Sequence, residues 1–244
     1  MCPAPLHISI MKEKPVLFLL PGLLSDSKVW DHQADVLAEF ADIRIPDFRC
    51  FDRFGHMALH VLDEAPEKFS VAGHSMGGRV ALELVHLAGS RVEKLALLDV
   101  GAHPVQSGEY EERMALVNLA ENQGMEALAD QWIPPMIHPD RHRDEALLGE
   151  IRQMVLRHDP QDYRRHIEAA LSREDQCRYL PEIAQHVLMI CGEEDEWSPV
   201  EQHREITRLI PDAELVIVKD AGHMVTMEQP EAVSALLLHW FTAS

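Results

Sequence analysis

The sequence predicts an α/β protein with a doubly wound, mostly parallel sheet and a helical segment inserted into it. Three observations carry that prediction. Short runs that are apolar throughout recur along the chain, the pattern of strands covered on both faces. Amphipathic helical stretches lie between those runs. The alternation stops between about residues 101 and 180, where only helical patterns occur.

The elements follow in chain order. Leu6–Ile10 alternates and reads as an edge strand. Val16–Leu20 is the clearest buried strand, and Ile43–Ile45 is a shorter one. Between them, Val29–Phe40 is a predicted helix with Trp30, Ala34, Leu37, Ala38 and Ala41 along one stripe. Phe69–Ala72 is a strand followed by the helix Met76–Ala88, and Leu95–Leu98 is the next strand. Four helices are expected in the insertion, at 108–121, 125–132, 144–157 and 160–172, punctuated by Pro134, Pro135, Pro139, Pro160 and Pro181. The alternation then resumes with strand Val187–Ile190, helix Val200–Ile210, strand Leu215–Val218 and helix Glu231–Phe241. The expected organisation is a core made of 1–100 and 181–244, with a helical insertion at 101–180.

Composition narrows the function classes. A net charge of −19 repels phosphate backbones and anionic lipid heads, so neither nucleic acid nor a membrane surface is an expected partner. The longest apolar run, Val16–Leu20, is far too short to span a bilayer. The first residues carry neither a basic start nor an apolar core, so a cytoplasmic protein is expected. The four cysteines, at 2, 50, 177 and 191, are isolated, which suits a reducing compartment and offers no metal or redox motif. Nothing in the pattern specifies an oligomeric state.

The chemistry is concentrated in Phe69–Leu82, which reads strand, tight turn, helix around Gly73-His74-Ser75-Met76-Gly77. A G-x-S-x-G motif in that context presents the serine hydroxyl above the sheet's carboxyl edge, at a helix N-terminus that favours negative charge. Gly73 and Gly77 remove side chains that would collide at the turn, and Gly78 lets the helix approach the sheet. Serine at its normal pKa needs a base, and the base needs an orienting acid. His223, in Ala221-Gly-His-Met224, follows the last strand, with Gly222 expected to permit a tight turn. Asp195 follows strand Val187–Ile190 and Gly192. It is preferred over Glu193, Glu194 and Glu196, which read as loop charges, and over Asp99, which is expected to accept backbone amides at its strand end.

These residues, with Leu20-Pro-Gly-Leu-Leu24, Trp30 and Glu228-Gln-Pro230, resemble the α/β-hydrolase fold along the whole chain, in its esterase- and lactonase-like branch. The resemblance implies a Ser75–His223–Asp195 triad and an oxyanion hole formed by the backbone amides of Leu23 and Met76. Pro21 stands where the family commonly has histidine, which leaves the main-chain donors in place. The insertion resembles the family's helical cap, so Trp132, Met136, Ile137 and Met154 are candidate pocket residues, together with Leu24, Trp197 and Met224 near the triad. His74 is expected to pack beside the turn. Arg79 reads as a surface ion pair, although a related arginine occurs in the menaquinone-pathway synthase branch, whose substrate is a polycarboxylate. Arg173-Glu-Asp175 resembles a cap-end segment. The implied activity is hydrolysis of a small carboxylic ester or lactone, with no metal or organic cofactor. Carbon–carbon hydrolases, thioesterases and the menaquinone-pathway lyase use the same triad, and ligand receptors use the same scaffold, so fold alone does not choose among them.

Overall fold

A computed structural model describes residues 14–243. The edge strand expected at Leu6–Ile10 lies outside these residues. Six strands form one sheet: β1 Val16–Leu20, β2 Asp42–Arg44, β3 Phe69–His74, β4 Val92–Leu98, β5 Val187–Gly192 and β6 Ala213–Val218. Their order is β2-β1-β3-β4-β5-β6, and every pairing is parallel. After β2 the chain crosses β1 to lay β3 on its other side. The β1/β3 boundary is therefore a topological switch point, where ligands of open α/β sheets bind at the carboxyl ends of the strands. The pairings Leu20↔Gly73, His74↔Leu98 and Gly192↔Val218 align those ends, so the loops that follow them converge on one edge.

The apolar runs become strands because each side chain has a covered face to enter. Val16, Phe18 and Leu20 point into one core layer, and Leu17 and Leu19 into the other. Helices α2 Phe54–Glu64, α3 Met76–Ala88 and α7 Val200–Leu209 cover the first layer. Helices α1 Asp31–Leu37 and α9 Pro230–Thr242, the latter preceded by the short α8 Val225–Glu228, pack together and cover the second. Two differences from the sequence reading stand out. The helix expected at 29–40 divides into a 3-10 turn, Ser27–Trp30, and a short α1. Helix α2 is an element the sequence reading does not contain, although Phe54, Met57, Ala58 and Val61 stand at i, i+3, i+4 and i+7 and are all buried.

Between β4 and β5 the described chain is helical: α4 Glu109–Trp132, α5 Glu145–Leu156 and α6 Pro160–Leu171, with short 3-10 turns. Gly124, at φ 88° and ψ 170°, breaks α4 into the two helices the sequence suggested. Asp159 caps α6 in a reciprocal capping box with Asp162. Val117, Ile151 and Ile167 join the second core layer, so the insertion continues the core above the sheet. Among the described residues, no helix is long and apolar enough to cross a membrane.

Candidate active site

Ser75 sits between β3 and α3 with φ 53° and ψ −115°, a conformation that L-residues rarely adopt. The surrounding backbone holds it there. Its N–H donates to the Leu98 carbonyl at the end of β4 (2.8 Å), and its carbonyl accepts the Gly78 N–H (3.0 Å). The crossing leaves no space for side chains: a Cβ on Gly77 would lie 2.1 Å from the Leu20 carbonyl oxygen, and one on Gly73 2.3 Å from that of Gly77.

Three side chains from three loops then form a continuous chain of hydrogen bonds. The Ser75 Oγ hydroxyl donates to His223 Nε2 (2.8 Å). His223 Nδ1–H donates to Asp195 Oδ2 (2.8 Å) and Oδ1 (2.9 Å). Asp195 Oδ1 also accepts the N–H groups of Trp197 (2.8 Å) and Ser198 (2.9 Å), so the carboxylate is fixed before it meets the imidazole. Burial pushes the Asp195 carboxyl pKa up, but His223 and these donors bring it below the ordinary carboxylate value.

The base loop is braced from several sides. His223 N–H donates to the Met136 carbonyl in the insertion (2.9 Å), and His74 Nε2–H donates to the His223 carbonyl (2.7 Å). His74 thus does more than pack beside the turn: it anchors the base through its main chain. Burial keeps its imidazole pKa low, so it is neutral. The buried Glu228 carboxylate accepts the N–H groups of Gly222 (2.8 Å), Met224 (3.3 Å) and His138 (2.8 Å). Gly222 has no positive φ. Its lack of a side chain serves close packing instead, because a Cβ there would lie 2.8 Å from the Ile137 carbonyl carbon.

Asp99, the rival acid, does not bond His223. Fully buried, it accepts the N–H groups of Gly192 (2.9 Å) and Val225 (3.2 Å). Burial, reinforced by the Asp195 charge, raises its pKa well above the usual range. Asp99, Cys191 and His203 approach one another closely enough to suggest a metal site. Their polar atoms are nevertheless committed to the fold: Asp99 as above, and His203 Nε2 to the Val100 N–H (2.9 Å). Burial also pushes the Cys191 thiol pKa up, away from the thiolate a metal would need.

A cavity of about 580 Å³ opens beside Ser75. Leu23, Met76, Trp132, Met136, Trp197 and His223 all line it. Neither the Leu23 nor the Met76 N–H has a protein acceptor among the described residues. The other four candidate pocket residues lie elsewhere. Leu24, Ile137, Met154 and Met224 are buried in the core layer beneath the insertion, where they pack against apolar neighbours and do not reach the cavity wall.

Sequence reasoning missed the polar end of this cavity. Arg79, expected at the surface, lines it one helical turn after Ser75. Its Nη1 donates to Gln176 Oε1 (3.3 Å), and among the described residues no carboxylate lies within ion-pair distance. Burial and the nearby Arg173 and Arg113 lower its pKa to about 9, which leaves it protonated at neutral pH. Arg113 and Arg173 also line the cavity and share one carboxylate, Glu109 (2.7 and 2.6 Å). The G-G-R run hinted at Arg79, but only the packing of the insertion brings the other two arginines beside it.

Known proteins resemble this chain in sequence and in fold. A family model described as the alpha/beta hydrolase family matches residues 17–236. A pimeloyl-[acyl-carrier protein] methyl ester esterase of Nitrosomonas europaea is 26% identical over 245 residues, covering 93% of this chain and 96% of that protein. A thermophilic esterase from Thermogutta terrifontis, solved with malate bound, superposes with a TM-score of 0.85 at 25% identity, covering 94% of this chain and 90% of the other. An enol-lactonase from Burkholderia xenovorans shares the fold with a TM-score of 0.85 at 23% identity, covering 96% of this chain and 93% of the other.

Proposed function

The chain belongs to the alpha/beta hydrolase family, and from that membership we propose that it is a serine hydrolase cleaving a small carboxylic ester or lactone through Ser75, His223 and Asp195. One observation carries the reading: an unbroken hydrogen-bonded chain from buried Asp195 through His223 to a serine hydroxyl on a cavity wall. The esterase relatives support ester bonds as the target.

In this mechanism His223 takes the Ser75 proton as Oγ attacks the substrate carbonyl, and Asp195 holds the imidazole tautomer and stabilises its cationic form. The Leu23 and Met76 amides receive the oxyanion, where losing one donor costs roughly 3–4 kcal/mol of transition-state stabilisation. His223 returns the proton to the leaving alcohol and then activates water to release the acid. The helices of 101–180 act as the cap that shapes the pocket. The three described cysteines are unpaired, which fits a cytoplasmic enzyme.

The arginines narrow the substrate. An ester carrying a second, free carboxylate would place that group against Arg79, whose planar donors match a carboxylate in pairs. Of the acidic groups on the wall, Glu112 and Glu196 are exposed, Glu109 is already shared, and Asp99 is buried with its oxygens held by backbone amides. The test compares p-nitrophenyl butyrate with p-nitrophenyl hemisuccinate on wild type, Ser75→Ala and Arg79→Gln. Wild type should turn over both and favour the hemisuccinate. S75A should hydrolyse neither. R79Q should raise KM for the hemisuccinate about tenfold more than for the butyrate. Turnover by folded S75A would overturn the hydrolase reading, and equal effects of R79Q on both esters would overturn the carboxylate.

A further inference from the structure

The loop carrying Leu23 has a shape that its own sequence disfavours. Ser25 N–H donates to the Gly22 carbonyl (3.2 Å), closing a four-residue turn. Leu24, in its third position, has φ 54°, whereas Leu23 has no positive φ. A turn with positive φ only at the third position is of type II, which favours glycine there. Leucine at that position is strained, because its Cβ crowds the following carbonyl. Left alone, the central peptide between Leu23 and Leu24 gains by flipping toward the type I form, which suits most residues.

Two contacts oppose the flip: the Ser25 hydroxyl donates to the Leu23 carbonyl (3.4 Å), and the other comes from the insertion. His166, on α6 and fully buried, places Nδ1 3.4 Å from the Leu24 N–H, which belongs to that central peptide. Its other nitrogen, Nε2, donates to the Phe48 carbonyl (3.1 Å), which fixes the tautomer and leaves Nδ1 free to accept. Burial holds the ring neutral and lowers its pKa to about 4, as an acceptor requires. Nearby links tie the same two segments together. Arg157, just past α5, pairs with Asp26 (2.5 and 2.9 Å), and Lys28 approaches Glu150 of α5 (3.5 Å).

The geometry points to His166 as a positioning residue that holds the Leu23–Leu24 peptide, and through it the placement of the Leu23 backbone beside Ser75, coupling the inserted helices to oxyanion stabilisation. This rests on the serine hydrolase reading. His166 touches neither the cavity wall nor the reacting atoms, so its action is through the turn. Such coupling makes seating of the helices on residues 22–28 a condition for full transition-state binding.

Two variants separate the ring's contacts. In His166→Asn the side-chain oxygen stands near the position of Nδ1 and can still accept from Leu24. In His166→Gln the terminal amide reaches instead toward Phe48. With p-nitrophenyl butyrate, H166Q should lower kcat about tenfold with KM changed less than about threefold, and H166N should retain most of kcat. Affinity for a trifluoromethyl ketone, which forms a tetrahedral adduct, should fall with kcat. Equal kcat in H166N and H166Q, or a loss confined to KM, would overturn the proposal. Hydrogen exchange at the Leu24 amide gives a readout without turnover: H166Q should accelerate it by about tenfold and H166N much less. That difference in a protein that cleaves no ester would refute the hydrolase reading and leave the bridge standing. Equal exchange in both variants would refute the bridge.

Discussion

Replacing Asp195 by asparagine tests the geometry sharply, because the surrounding donors dictate which way the amide must face. Oδ1 of Asp195 accepts the Trp197 and Ser198 N–H groups at 2.8 and 2.9 Å. An asparagine amino group in that position would set donor against donor, so its carbonyl oxygen must take it. The amino group then faces His223 Nδ1, which Oδ2 contacts at 2.8 Å in the native protein. His223 must accept there and carry its proton on Nε2, pointing at Ser75 Oγ, 2.8 Å away. A histidine in that tautomer cannot take the serine proton. The matching exchange in a serine-protease triad lowers kcat by about 10⁴-fold, equivalent to about 5 kcal/mol of barrier. The assay is kcat/KM on p-nitrophenyl butyrate with purified Asp195→Asn, alongside thermal melting; both backbone acceptor bonds survive, so the melt should move little. Asp99→Asn is the matched control, since Asp99 has no bond to His223, and its folded fraction should stay within about tenfold of wild type. Activity of D195N within tenfold of wild type, or a D99N loss as deep as that of D195N, would refute the reasoning.

Three further outcomes follow from the same structure. Gly77→Ala places a Cβ 2.1 Å from the Leu20 carbonyl oxygen, a backbone atom with nowhere to go, and should destabilise the fold by at least ~2 kcal/mol in urea unfolding. Glu228→Gln sets an amino group among the three amides that the carboxylate now satisfies, and should cost about 1–3 kcal/mol, seen as a lowered melting temperature. The contribution of three buried histidines to stability should fall on acidification. His74, His166 and His203 are buried with pKa values held below the ordinary 6.5. Above pH 6.5 both folded and unfolded chains leave them neutral, whereas below it the unfolded chain binds protons first. For His166 the loss runs from about pH 6.5 to about 4 and reaches about 3 kcal/mol. Asp99 and Glu228, whose buried carboxyl pKa values are raised, act in the opposite direction, so the test is the urea stability of wild type minus that of His166→Asn: it should fall between pH 7 and 4.5, and a level or rising difference would contradict that sign.

Much of this architecture was legible in the sequence because its signals are local. Strands buried on both faces must be apolar throughout, so Val16–Leu20 and Val187–Ile190 announced themselves. The serine, acid and histidine each follow a strand, and a parallel sheet carries all such loops to one edge, so their convergence follows from chain order. What could not be read depends on packing between distant segments. An apolar residue in the insertion looks the same whether it faces the cavity, as Trp132 does, or the core, as Met154 does. Gly222 reads as a turn residue, yet it is needed because Ile137, far away in sequence, packs against it. Arg113 carries no motif and Arg173 reads only as part of a cap-end segment, so only the fold of the insertion brings them beside Arg79. His166 is one of 15 histidines, distinguished only by the strained turn it meets.

The central claim is that Ser75 is an activated nucleophile, and fluorophosphonate labelling with mass-spectrometric mapping tests it most directly. A single adduct on the peptide containing Ser75 is expected in the wild-type protein, absent from folded Ser75→Ala and strongly slowed in D195N. Folded wild-type protein that takes no label, or takes it on a residue other than Ser75, would contradict the account.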